Sequence, residues 1–126
     1  MSSEYIAGVC NIGKGEIRRR QFVALIGIFL IATTATTLLA TDQVRSARIS
    51  IFLPAMIFSV GFIQSRKKFC LAYGLAGTFN FGKLGNITKV QSAEDRKADR
   101  KTAMGILVQA AFLAAAITAV FFALPL

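Results

Sequence analysis

The run from Gln21 to Ala40, QFVALIGIFLIATTATTLLA, holds no ionisable side chain from one end to the other. Twenty residues at about 1.5 Å each make roughly 30 Å of helix, the thickness of a bilayer's hydrocarbon core. Its threonines, Thr33, Thr34, Thr36 and Thr37, are tolerable there because a helical hydroxyl can bond a carbonyl one turn back. Gly27 offers a place for close helix approach. A second such run, AMGILVQAAFLAAAITAVFFAL at residues 103–124, follows the last basic residue, Lys101. A charge at the bilayer centre costs several kcal/mol (about 3 or more), so this segregation is what a membrane demands.

Between these runs, residues 47–64 form a shorter apolar stretch, bounded by Arg48 and by Arg66 beyond its end. Both arginines are expected to snorkel to opposite interfaces. Pro54 lies inside the stretch, where it removes a backbone donor and is expected to kink the helix. A short polar connection, residues 41–46, makes the first two spans an antiparallel hairpin.

The chain as a whole is 126 residues, 55% hydrophobic and 17% charged, with a formal charge of +9. A length of this order allows one compact unit. The expected fold is therefore an all-α membrane protein with three transmembrane helices, over residues 21–40, 47–64 and 103–124. Residues 1–20 form an N-terminal segment with no apolar run ahead of its basic cluster, so it is not expected to be a cleavable signal. Residues 69–86, FCLAYGLAGTFNFGKLGN, are too short to cross and are interrupted by Gly74, Gly77, Gly82 and Gly85. They read as a short helix or turn at the interface between spans two and three. Residues 87–102 read as a charged helix start, with Ser92 and Asp95 at its beginning and Arg96 able to pair with Asp99.

Basic residues set the orientation. Lys14 and Arg18 to Arg20 precede span one, and nine further Lys and Arg lie between Arg66 and Lys101. Only Arg45 and Arg48 occupy the loop between spans one and two. Thirteen against two predicts an N-terminus inside and a C-terminus outside, consistent with a bacterial cytoplasmic (inner) membrane. Arg18, Arg19, Arg20, Arg66, Lys67 and Lys68 then become contacts for anionic lipid headgroups. The positive charge is accounted for by these flanks, and no reader motif accompanies it, so nucleic acid is not an expected partner.

The chain has no histidine, which removes the commonest acid–base group and the usual haem ligand. None of its six carboxylates, Glu4, Glu16, Asp42, Glu94, Asp95 and Asp99, lies within an apolar run. A proton relay or ion-coupling site inside the membrane is accordingly not expected, nor is an enzyme. The glycines of residues 74–85 lack the Gly-Lys-Ser/Thr ending of a phosphate loop. Cys10 and Cys70 fall on the same side of the expected hairpin, each beside basic residues, and form a candidate thiol pair. Ala111, Ala115 and Ala119 repeat every fourth residue on the third span and, with Gln109, make a seam for a partner helix.

Two short patterns flank the first hairpin. Asn11, Ile12, Gly13, Glu16 and Arg20 enter span one, and Cys70, Tyr73 and Gly77 follow span two. Over residues 10–80 this resembles the YgaP-type inner-membrane domain family, which joins an Asn-[Val/Ile]-Gly-x-x-[Asp/Glu]-x-x-x-Arg entry to a Cys-x-x-Tyr-x-x-x-Gly exit. Here no proline follows the cysteine, Arg66-Lys67-Lys68 precede it, and a third span is added. The resemblance implies a membrane hairpin more than an activity.

The expected function is a small non-catalytic subunit that packs within a larger membrane complex. Its partners would be membrane lipids and other transmembrane subunits, or further copies of itself. The alternative is a homo-oligomeric channel or carrier for a sulfur species or metal ion that uses the two thiols. The sequence names no cofactor.

Overall fold

The computed structural model describes residues 5–81 and 87–125. Helix α1 spans Lys14–Ala40. A 3₁₀ helix, Arg45–Ile51, leads into α2, Phe52–Lys67. Then come α3, Leu71–Ala76, the two-residue strands β1, Thr78–Phe79, and β2, Thr88–Lys89, and finally α4, Ala93–Ala123. Glu4, Gly82, Lys83 and Gly85 of the sequence reading lie outside the described residues.

Three helices are long and apolar enough to cross a membrane: Lys14–Ala40, Arg45–Lys67 and Ala93–Ala123. The protein is membrane-integral on that length and composition. At about 1.5 Å per residue, α1 reaches about 40 Å and α4 about 46 Å, so both extend past the hydrocarbon into the polar zone.

Helix α2 is the middle member of the row. It packs along both α1 and α4, which have no comparable interface with each other. The α1–α2 crossing is tight because glycines meet backbone. A Cβ on Gly27 would lie 2.5 Å from the Phe58 nitrogen, and one on Gly61 would lie 2.8 Å from the Ala24 nitrogen. Without a hydrophobic driving force between spans, such close van der Waals contact is what holds helices together in lipid. On α4 the face turned to the bundle is Ala103, Ile106, Ala110, Ala114, Thr118 and Phe121. Ala115, Ala119 and Gln109 are exposed and Ala111 is half-buried, so the expected seam stands beside this face and remains open.

Two features of the second span differ from expectation. The chain enters it as a 3₁₀ helix and changes to α winding at Phe52, which leaves Pro54 in the first α turn. Near a helix start the missing proline N–H is least harmful, so the irregularity lies ahead of the proline. Arg48, expected to snorkel, is buried instead. Its guanidinium donates to the carbonyls of Phe121 at 3.1 Å and Leu124 at 2.9 Å, and Arg45 donates to those of Phe122 and Leu124. The last carbonyls of a helix have no partners of their own and carry its negative dipole end, so two cations satisfy them together.

At the opposite end, Phe69, Ala103 and Ile106 form a small apolar cluster, with Ile63 and Leu71 packed against it. Gly74 allows α3 to approach α4, since a Cβ there would lie 3.0 Å from the Ala103 Cβ. α4 begins as the sequence indicates, with the Ser92 side chain accepting from the Asp95 N–H at 3.3 Å. The expected Arg96–Asp99 pairing is replaced. Arg96 donates to the carbonyls of Val90 and Gln91, while Asp99 turns inward to the N-terminal segment. The expected interfacial segment contains α3 and the antiparallel pairing of Thr78 with Lys89 and Phe79 with Thr88.

Candidate functional site

The polar residues that flank the first hairpin converge on one buried cluster. Asn11 is fully buried and reads both backbone groups of Cys70. Its Oδ1 accepts from the Cys70 N–H at 2.7 Å and its Nδ2 donates to the Cys70 carbonyl at 3.3 Å. Its own N–H donates to the Lys68 carbonyl. One residue thus stitches the entry of α1 to the exit of α2. Lys68 makes that exit possible by adopting a left-handed conformation at φ 56°, which turns the chain out of the helix. Gly13 lets the chain pass close to Phe81, since a Cβ would stand 3.0 Å from the Phe81 backbone and press it aside by a few tenths of an ångström.

Glu16 lies in the first turn of α1 and is buried, a position favoured by the helix dipole but costly unless fully bonded. It is bonded. Tyr73 donates its hydroxyl to Oε2 at 2.6 Å, Asn80 donates Nδ2 to the same oxygen at 3.0 Å, and Arg20, one turn on, pairs with Oε1. The other end of the Arg20 guanidinium donates to Cys70 Sγ at 2.6 Å, and its carbon lies 5.7 Å from the Tyr73 ring centre. Arg20 Nε is buried without an acceptor among the described residues. Gln64 completes the junction by accepting from the Leu71 N–H at 2.6 Å.

A second knot ties the N-terminal segment to α4. Asp99, fully buried, accepts from the Tyr5 hydroxyl at 2.6 Å and from the Gly8 N–H at 2.7 Å, and Thr102 donates to the Gly8 carbonyl. The Tyr5 ring stacks on Phe79 at 4.6 Å. Burial, and then the Asp99 carboxylate, push the Tyr5 phenol above its ordinary value. Burial and then Glu16 do the same to Tyr73.

Beside the first cluster a cleft of about 600 Å³ opens between α1, α2 and α3. Arg19, Arg20, Tyr73 and Cys70 line its polar side, and Val23 and Val60 its apolar side.

All eight residues of the entry and exit patterns lie at this end of the fold. Asn11, Glu16, Arg20, Cys70 and Tyr73 are joined by hydrogen bonds, and Gly77 supplies the left-handed turn at φ +75° that ends α3. Cys10 and Cys70 are not joined by a disulfide. Arg18, Arg19, Arg66, Lys67 and Lys68 are exposed around the cluster. Asn80, Gln64, Tyr5 and Asp99 were not distinguished as site residues by the sequence. No local spacing marks Asn80, Tyr5 or Asp99, because their partners are remote in the chain, and the contact of Gln64 with Leu71, seven residues on, forms only across the turn that ends α2. Among the described residues no group of three or more His, Cys, Asp or Glu side chains comes together to hold a metal ion. No family model, no curated protein and no solved structure matches the chain.

Proposed function

We propose that this protein is a small non-catalytic membrane subunit that packs within a larger membrane assembly, with the polar end of the row facing the cytoplasm of a bacterial cell. The observation that carries the reading is Gln109. Its side chain is exposed on α4, six residues into the apolar run, and makes no hydrogen bond among the described residues. A primary amide in hydrocarbon gains by meeting a polar group on another helix, by about 0.6–2 kcal/mol. Ala115 and Ala119, exposed on α4, let a partner backbone come close. The basic excess at the polar end supports the orientation.

Extraction in mild detergent followed by sizing and identification of co-purifying chains tests this. A complex larger than the monomer that is lost in Gln109→Leu, while the helical content of the variant is kept, is the expected result. A monomer that retains no other chain would overturn it.

The contact between Arg20 and Cys70 Sγ at the cleft favours a second reading, a homo-oligomeric carrier for a sulfur species. Cys10→Ser combined with Cys70→Ser separates the two. Unchanged transport or tolerance removes the carrier, and an unchanged complex leaves the subunit reading intact.

A further inference from the structure

We infer that the cleft between α1, α2 and α3 is a binding site for one anionic phospholipid, its phosphate on Arg19 and its acyl chain against Val23 and Val60. The inference rests on the membrane-integral character of the chain but not on its having protein partners.

Depth comes first. Arg19 and Arg20 sit immediately before the apolar run that opens at Phe22, so their guanidinium groups stand at the level of lipid headgroups. Val23 and Val60 lie on the hydrocarbon side of them and line the same cleft. A ligand that fills this space must be anionic at one end and apolar at the other.

Charge follows. Among the described residues two cations line the cleft, and the carboxylate nearest to them is Glu16. That carboxylate is already occupied. Arg20 takes Oε1, while Tyr73 and Asn80 take Oε2. Arg19 reaches it only at 3.9 Å and keeps its side chain 59% exposed. One positive charge is therefore left uncompensated at the cleft, on a side chain held by no short hydrogen bond. An arginine fork matches the geometry of a phosphate oxygen pair. Lys67 and Lys68, exposed at the end of α2, add to the local potential without being needed for the fork.

A phosphodiester from a lipid and a free phosphate share the chemistry that Arg19 recognises. The apolar side of the cleft assigns the site to the lipid, because an inorganic ion would leave Val23 and Val60 unused. At about 600 Å³ the space admits a headgroup with the first part of one chain.

The test uses the full chain in non-ionic detergent, with lipid retention read by native mass spectrometry. The probes are phosphatidylglycerol, phosphatidylcholine with the same acyl chains, and inorganic phosphate. Phosphatidylglycerol is expected to bind one per chain and phosphatidylcholine at least fivefold more weakly. Arg19→Gln should lower phosphatidylglycerol affinity about fivefold, the worth of roughly one interfacial cation. Lys14→Gln, the same charge change at an exposed position of α1 outside the cleft, should leave it unchanged. Val60→Trp, which fills the apolar side, should weaken the lipid as well. Equal binding of the two lipids, or equal losses from Lys14→Gln and Arg19→Gln, overturns the site in favour of diffuse attraction. Displacement of the lipid by an equal concentration of inorganic phosphate overturns the lipid as its occupant. Every arm is read on the isolated chain, so failure here is separate from failure to find a protein partner.

Discussion

Replacing Glu16 by alanine should be among the most damaging single changes in the protein. The carboxylate is fully buried and accepts from Tyr73 at 2.6 Å, from Asn80 at 3.0 Å and from Arg20. Its removal leaves the Arg20 guanidinium, 12% exposed, with no carboxylate partner among the described residues. Breaking a buried ion pair from one side costs about 3–5 kcal/mol, chiefly through the stranded charge. The lost bonds to Tyr73 and Asn80 belong to the same network, so their worth is not added on top. For a chain of this size, about 4 °C of melting temperature accompanies each kcal/mol, which places the loss at roughly 10–20 °C. Glu16→Gln keeps one acceptor oxygen and should fall between wild type and alanine. Pairing it with Arg20→Gln removes both charges, and the double variant should be less destabilised than the two single effects together, by more than about 1 kcal/mol. The assay is thermal unfolding in detergent followed by circular dichroism. In parallel, the labelling rate of Cys70 in a Cys10→Ser background should rise in the alanine variant, because Arg20 loses the carboxylate that holds it against the sulfur. Strict additivity of the two glutamine variants, or an alanine variant within about 1 kcal/mol of wild type, would refute the account of Glu16 as the centre of the network.

Three further outcomes follow from other parts of the fold. Gly27→Leu should separate α1 from α2 and lower the melting temperature by the equivalent of about 1–3 kcal/mol or more, because its side chain would grow into the Phe58 backbone. Gly105→Leu is the control, since a Cβ there meets nothing within 4 Å, and equal melting temperatures for the two would remove the close-contact argument. Arg48→Ala deletes donors to the Phe121 and Leu124 carbonyls and should cost about 1.5–3 kcal/mol. Hydrogen exchange should quicken in the last turn of α4 and stay unchanged at Ser92 to Asp95; uniform change along the helix would contradict a local cap. The chain has two tyrosines, Tyr5 and Tyr73, and both phenols are held above the ordinary value of about 10. The stability they contribute is whole below that ordinary value and is lost as pH rises toward the folded values, because the unfolded chain gives up its protons first. Phenolate absorbance in the folded protein should therefore appear only above about pH 10, together with unfolding; titration of either ring at its ordinary value in the folded state would contradict these hydrogen bonds.

The membrane character of the protein was legible in the sequence because it depends on local quantities. An apolar run must match the bilayer thickness, and charges must stay out of it, so counting residues between Arg20 and Asp42 and beyond Lys101 was sufficient. The start of α4 was legible for the same reason, since Ser92 and Asp95 are three residues apart. The entry and exit residues drew notice as short patterns, Asn11 to Arg20 and Cys70 to Gly77, but nothing local tied one pattern to the other. Their junction depends on Asn11 meeting the Cys70 backbone 59 residues away and Tyr73 meeting Glu16 across 57. Asp99 illustrates the limit most clearly. Helical spacing offered it Arg96 three residues back, yet Tyr5, 94 residues away, takes its carboxylate. The nearer pair would have stayed in water, where an exposed ion pair gains about 1 kcal/mol at most. Packing the N-terminal segment against α4 buries the carboxylate beside two donors instead. Which spans exist was decided residue by residue along the chain. Which polar groups survive burial between them was decided by the tertiary structure, because a buried donor or acceptor must find its partner wherever the fold brings one.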